Sequence, residues 1–151
     1  MKKFVFLLLL CLFSIITAGC QNAKQHEESE TPVNGNASGG RVEARLAYEQ
    51  KGNDVSFNFQ VKNQTNHKVT YHFPTTQRFD YKIKDEDGKV IKHFSEGRFF
   101  GQVTGTLTLK QSETKDFKTE VSDLKPGQYT IIFWLTANED QPNTRINFKV
   151  N

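Results

Sequence analysis

Three observations make an all-β antiparallel sandwich the fold class this sequence predicts. From Arg41 onward apolar and polar residues alternate with a period of two, turn residues interrupt the pattern at regular intervals, and no segment holds a helical period for a useful length. Alternation on a single face favours two packed sheets with wet outer faces. About nine short strands are expected, and all four prolines fall at element boundaries or before Arg41.

The first strand puts Val42, Ala44, Leu46 and Tyr48 on one face and ends at Gly52, Asn53 and Asp54. In the second, Val55, Phe57, Phe59 and Val61 oppose a polar face of Ser56, Asn58, Gln60 and Lys62. Asn63 to His67 reads as a polar loop. Val69, Tyr71 and Phe73 form a third strand, stopped by Pro74, which has no amide to give a ladder. A hairpin follows, with Phe79, Tyr81 and Ile83 before Asp85, Glu86, Asp87 and Gly88, and Val90 and His93 after them. An Asp-Gly pair between alternating runs predicts a type I′ turn, because glycine takes a positive φ without steric cost. Leu107 and Leu109, a turn around Gln111 and Ser112, then Phe117 and Val121 supply the next strands. After the turn Leu124, Lys125, Pro126 and Gly127, residues Tyr129, Ile131, Phe133 and Leu135 face one way and Ile132 and Trp134 the other. A loop from Asn138 to Asn143 leads to Ile146, Phe148 and Val150.

The chain divides into segments 1–19, 20–40 and 41–151. Lys2 and Lys3, an apolar run from Phe4 to Ile16 and the small residues Thr17, Ala18 and Gly19 have the layout of an export signal. A run of about 13 residues is short of the roughly 20 that span a bilayer, so removal is expected. Ala18, Gly19 and Cys20 resemble the lipobox of bacterial lipoproteins, in which cleavage precedes a cysteine carrying diacylglycerol; Thr17 departs from the usual leucine. Cys11 lies within the signal, so the mature chain keeps Cys20 alone and forms no internal disulfide. That resemblance implies a lipid partner through Cys20 and a location on the extracytoplasmic face of the cell membrane, in a Gram-positive bacterium. Segment 20–40 is polar, with little that is apolar beyond Ala23 and Val33, and reads as a tether. About 20 flexible residues have an end-to-end distance of roughly 25 Å and stretch to about 65 Å.

The chemistry expected of the domain is mostly negative. His67, His72 and His93 lack zinc-ligand spacing, and Asp85, Asp87 and Glu96 echo a calcium loop across a predicted strand that forbids one, so no metal or cofactor is expected. No serine sits between glycines at a strand-to-helix elbow and no glycine-rich phosphate cradle precedes a helix, which argues against an enzyme. Losing Lys2 and Lys3 with the signal takes the formal charge from +3 to about +1, too weak a field to argue for nucleic acid.

From Phe57 to about Leu135 the sequence resembles the BsuPI family, named after an intracellular proteinase inhibitor of bacilli. The resemblance rests on Phe59, Val61, Asn63 and Thr65, on Gln77, Phe79, Asp80 and Tyr81, and on Asp85, Gly88, Lys89 and Val90. Phe94, Ser95, Gly97, Phe100, Gln102, Leu109, Pro126, Gly127 and Tyr129 extend it. Ile91 before Lys92 stands where the family usually has tryptophan. It implies an immunoglobulin-like sandwich of about 8–9 strands that binds a protease, although an exported chain meets different proteases from a cytoplasmic one. The alternative is a non-inhibitory immunoglobulin-like module that binds another envelope protein. For either, the expected contact surface is the loop from Ser95 to Gly105, with Ser95, Gly97, Arg98, Phe99, Phe100 and Gln102 as its candidate residues. Arg98 between Gly97 and Phe99 offers a basic anchor beside aromatic area; the competing reading lets Phe99 or Phe100 plug the sandwich and leaves Arg98 solvated.

Overall fold

The structure is a computed structural model and describes residues 40–151 apart from Asn53. The expected export signal, Cys20 and, Gly40 aside, the tether lie outside the described residues. Nine strands follow one another: β1 (Val42–Lys51), β2 (Asp54–Asn63), β3 (Val69–Phe73), β4 (Phe79–Lys84), β5 (Val90–His93), β6 (Gly105–Leu109), β7 (Thr114–Val121), β8 (Gly127–Leu135) and β9 (Asn143–Val150). All strand pairs are antiparallel, in a three-stranded sheet β1-β2-β7, a four-stranded sheet β5-β4-β8-β9 and a β3-β6 ribbon. Among the described residues there is no helix long and apolar enough to cross a membrane.

The period-two pattern does what it predicts. Val55, Phe57, Phe59 and Val61 are all buried, and so are Ile131, Phe133 and Leu135 on β8 and Ile146, Phe148 and Val150 on β9. Aromatic rings join the two large sheets: Phe59 stacks on Phe133 with centroids 4.6 Å apart, and Phe57 meets Phe148 edge-on at 5.1 Å. Offset and edge-on pairs of this kind add about 1 kcal/mol each beyond the area they bury. One side of the sandwich closes where β1 meets β9, through Tyr48 against Phe148 and Gln50 bonded to Asn151.

Three local expectations are corrected. The β4–β5 turn is not type I′: Gly88 is at φ 79°, but Asp87 is not among the residues with positive φ. Asp85 O accepts from Gly88 N at 3.0 Å, Asp85 N donates to Lys89 O at 3.0 Å, and the Asp85 carboxylate accepts from Lys89 N at 2.9 Å. The result is a three-residue loop with Gly88 left-handed, stabilised by an aspartate side chain that a tighter turn would not use. Val90 does not face inward. β5 is an edge strand, Lys84 pairs with Val90 and Ile83 with Lys92, and the slip leaves Ile91 unpaired, with Val90 and Ile91 42% and 43% exposed.

Asn63 is the third correction. It ends β2 rather than opening a solvated loop, and it is fully buried. Its Nδ2 donates to His67 O at 2.8 Å and Leu109 O at 3.0 Å, while its Oδ1 accepts from the Thr65 amide at 2.9 Å and lies 2.7 Å from the Thr65 hydroxyl. Its own amide donates to Glu113 O and its carbonyl accepts from Ser112 N. One side chain therefore joins β2, the 64–67 loop and the end of β6, and every polar group on it is used.

The β3-β6 ribbon is held on the other side by the loop after β8. Asn138 N donates to His72 O at 2.9 Å, and the Glu139 carboxylate receives the His72 amide at 2.9 Å and the His72 ring Nδ1 at 2.6 Å. Those bonds, from the backbone amide first, hold the Glu139 carboxyl below its ordinary range. Tyr71 between them is buried, and burial, then Asp140 and Glu139, push its phenol from an ordinary 10.0 up to about 12. A folded-state value above the unfolded one gives stability that is complete below pH 10 and lost as pH rises towards 12. Alkaline titration followed by tyrosinate absorbance and far-ultraviolet circular dichroism should show unfolding coupled to late tyrosine ionisation. Tyr71→Phe should make that loss shallower; an unchanged alkaline limb would show that Tyr71 plays no part.

Candidate functional site: a loop clasped at both ends

The segment between β5 and β6 leaves the sheet through a hydrogen bond from Phe94 N to Tyr81 O. Phe94 then turns back against the core. Its ring lies 4.9 Å from Phe79 and 5.3 Å from Tyr81, and both of these lie against Phe133. Burial, first of all, raises the phenol of Tyr81 above its ordinary range. The loop thus starts from the same aromatic column that forms the core.

Its first clasp is Asp80, 6% exposed on a strand that otherwise alternates as predicted. Asp80 Oδ1 accepts from the amides of Tyr81 at 2.8 Å and Ser95 at 3.2 Å, and Oδ2 lies 3.1 Å from His93 Nε2. Ser95 Oγ stands 3.1 Å from that same nitrogen. A serine, a histidine and an aspartate are therefore in contact, but a proton relay needs the serine on one ring nitrogen and the carboxylate on the other. Here both compete for Nε2. The cluster holds the loop rather than activating the serine.

The second clasp lies at the far end. Thr76 N donates to Gly101 O and Gly101 N donates to Thr76 Oγ1, both at 2.9 Å. A Cβ at Gly101 would come within 3.2 Å of the Thr76 methyl, so the approach favours glycine. Thr76 belongs to a connection that Arg78 fixes: its Nη1 donates to Thr75 O at 2.5 Å and its guanidinium lies 4.8 Å from the centre of the Phe73 ring. Gly105 lets that guanidinium pass where any Cβ would collide with it.

Between the clasps the candidate residues separate. Ser95 is half-buried as part of the first clasp, and Gly97 supplies the positive φ of 70° in a turn closed by Arg98 N to Ser95 O at 3.2 Å. Phe100 is half-buried with its ring 6.1 Å from Phe94, and Gln102 is exposed with its amide 3.5 Å from Phe100 O. Neither Phe99 nor Phe100 plugs the sandwich; Phe94 has that place. Arg98 is not simply solvated either, because its guanidinium lies 4.2 Å from the centre of the Phe94 ring. Phe99 is the residue displayed, at 102% relative exposure.

Among the described residues four large apolar side chains are exposed: Val90, Ile91, Phe99 and Val103. All four lie on β5 or on the loop that follows it. Isolated exposed apolar residues are ordinary; here they are confined to one stretch of the sequence. Thr76, Asp80 and Phe94 hold that segment without being among the residues singled out for it. In the sequence Asp80 reads as an ordinary polar residue between the inward Phe79 and Tyr81, with nothing local to mark its burial. Nor do the described residues contain a group of three or more His, Cys, Asp or Glu placed to hold a metal ion.

Three strands packed on four, with one clasped apolar loop at an edge, define an immunoglobulin-like sandwich. The chain belongs to the BsuPI family, described as intracellular proteinase inhibitor, whose family model matches residues 42–140. No curated protein matches the chain. Among solved structures it is similar to the sporulation control protein Spo0M of Bacillus subtilis, with 15% identity and a TM-score of 0.47 over 74% of this chain. It spans 50% of that chain's length. The CARDB domain of a Pyrococcus furiosus protein in complex with di-metal ions has 13% identity and a TM-score of 0.41, over 72% of this chain and 91% of its own. A PapD-like domain of human CEP192 has 13% identity and a TM-score of 0.33, over 82% of this chain and 98% of its own.

Proposed function

We propose that this protein is a membrane-anchored, extracytoplasmic proteinase inhibitor that acts by protein–protein binding through the segment from Val90 to Thr104. The observation that carries the proposal is an exposed apolar set on β5 and the loop after it, with Phe99 at a tip clasped on both sides, in a domain whose family is described as proteinase inhibitors. An inhibitor must keep its contact segment in one shape, since ordering it on binding would subtract from affinity. The clasps at Asp80 and Thr76 meet that requirement at folding.

Anchoring rests on the sequence of residues 1–40. Diacylglycerol on Cys20 supplies two acyl chains, and at about 0.8 kcal/mol per buried methylene two chains hold where one binds only reversibly. The tether then sets the volume the sandwich can search. In a Gram-positive host, the full chain should fractionate with membranes and recover a surface protease, whereas Cys20→Ser should be released to the soluble fraction. Two soluble chains would overturn the anchor. Recovery of envelope assembly proteins alone, with no loss of proteolysis, would overturn inhibition in favour of the non-inhibitory module.

A further inference from the structure

The structure assigns the two adjacent residues at the loop tip different tasks, and from this we infer that Phe99 is the specificity-determining residue. It enters an apolar, aromatic-accepting substrate pocket of the target protease, while Arg98 stays behind as part of the loop's support. The inference rests on the inhibitor reading above and deepens it by naming the pocket.

Arg98 is already engaged. Its guanidinium lies 4.2 Å from the centre of the Phe94 ring, which itself rests on Phe79 and Tyr81. To reach into an acidic pocket it would have to leave that ring and uncover a side chain packed against the core. Phe99 breaks nothing by binding, because no part of the described domain covers it. Covering an exposed phenylalanine ring is strongly favourable, and this ring is presented with that gain still available.

The flanks fit insertion into a cleft. Gly97 turns the chain at φ 70° just before the tip, and Gly101 draws the returning strand against Thr76 just after it. Both ends of the tip from Gly97 to Gly101 are therefore fixed. Glu96, Arg98 and Gln102, its neighbours in sequence, are exposed and available for polar contacts at the edge of an interface. Anchors of this kind, an aromatic residue amid contacts that exclude water, carry most of the energy of tight interfaces.

The test uses the full-length chain in detergent micelles against two proteases, together with any protease recovered in the membrane experiment. One is of chymotrypsin type, with an apolar slot for aromatic side chains, and the other of trypsin type, with an aspartate at the base of its pocket. Inhibition of the aromatic-accepting enzyme is expected. Phe99→Ala should weaken it about 100-fold with an unchanged denaturation midpoint, since the ring supports nothing within the domain. Arg98→Ala should weaken it by less than about tenfold, and Phe99→Lys should transfer inhibition towards the trypsin-type enzyme. Full inhibition by Phe99→Ala, or inhibition of the trypsin-type enzyme alone that disappears with Arg98→Ala, would overturn this assignment and leave the inhibitor reading standing. If the wild-type chain inhibits none of the proteases, the inhibitor reading falls and the pocket assignment with it.

Discussion

Truncating Phe133 to alanine is expected to destabilise the domain by about 3–5 kcal/mol, enough to remove most of the stability of an ordinary domain. Phe133 is fully buried on β8 and meets three rings of the aromatic column: Phe59 at 4.6 Å, Phe79 at 5.1 Å and Tyr81 at 5.4 Å. Phe59 comes from the opposite sheet, so the cavity would open at the plane where the two sheets meet. Strands on both sides are fixed by their ladders and cannot collapse into it fully, which places the cost near the upper end for a phenylalanine. Phe133→Leu fills most of the same volume and should cost about half as much. Trp134, the one tryptophan, lies next in sequence and reports the transition in urea. A common slope with a lowered midpoint would confirm a stability change; a loss below about 1 kcal/mol for Phe133→Ala would mean that the two sheets are not packed through this ring. The same loss would reach the loop after β5, because Phe94 rests on Phe79 and Tyr81 and these rest on Phe133.

Asn63→Ala should follow closely, at about 3 kcal/mol, for a different physical reason. No large volume is lost. The buried Leu109 carbonyl loses this donor and the buried Thr65 amide loses its acceptor, while the His67 carbonyl keeps only the Thr65 hydroxyl at 2.8 Å. Asn63→Asp separates donor from acceptor. It keeps the oxygen that Thr65 uses but turns a charged oxygen towards two carbonyls, so its carboxyl should titrate well above the ordinary range. A folded value above the unfolded one gives stability present at low pH and lost as pH rises, so Asn63→Asp should approach wild type in acid and fall away towards neutrality. An Asn63→Asp domain with wild-type stability at neutral pH would show that the two carbonyls do not depend on this donor.

The difference between these two residues is also the difference in how legible they are. Phe133 announces itself, since alternation places it inward with Ile131 and Leu135 whatever the topology. Asn63 looks like the start of a loop, because its residue type favours turns and its partners are remote in sequence: Leu109 lies 46 residues away. Only when β6 returns beside β3 does the Leu109 carbonyl arrive within 3.0 Å of its amide. Asp80 is hidden in the same way, between two inward aromatics, until His93 and Ser95 come back across the hairpin to meet it. The loop after β5 was legible in its extent, through glycine and aromatic residues too mixed for a strand. Its division of labour was not: whether Arg98 or Phe99 points outward depends on whether Phe94 is free to take the guanidinium.

The sequence by itself determined the secondary structure, the inward faces and the family, because alternation and turn chemistry act over a few residues and need no partner. The proposed export signal, lipidated Cys20 and tether rest on composition and order alone. The tertiary structure decided the sheet order, the three-residue turn at Gly88, the edge position of β5, the burial of Asn63 and the display of Phe99. The sheet order, the place of β5 and the burial of Asn63 are set by groups arriving from distant strands, whereas the Gly88 turn is closed locally by Asp85 and the tip is sorted by Phe94. A period of two tells a side chain which face to take, and only the neighbouring strand determines what waits for it there.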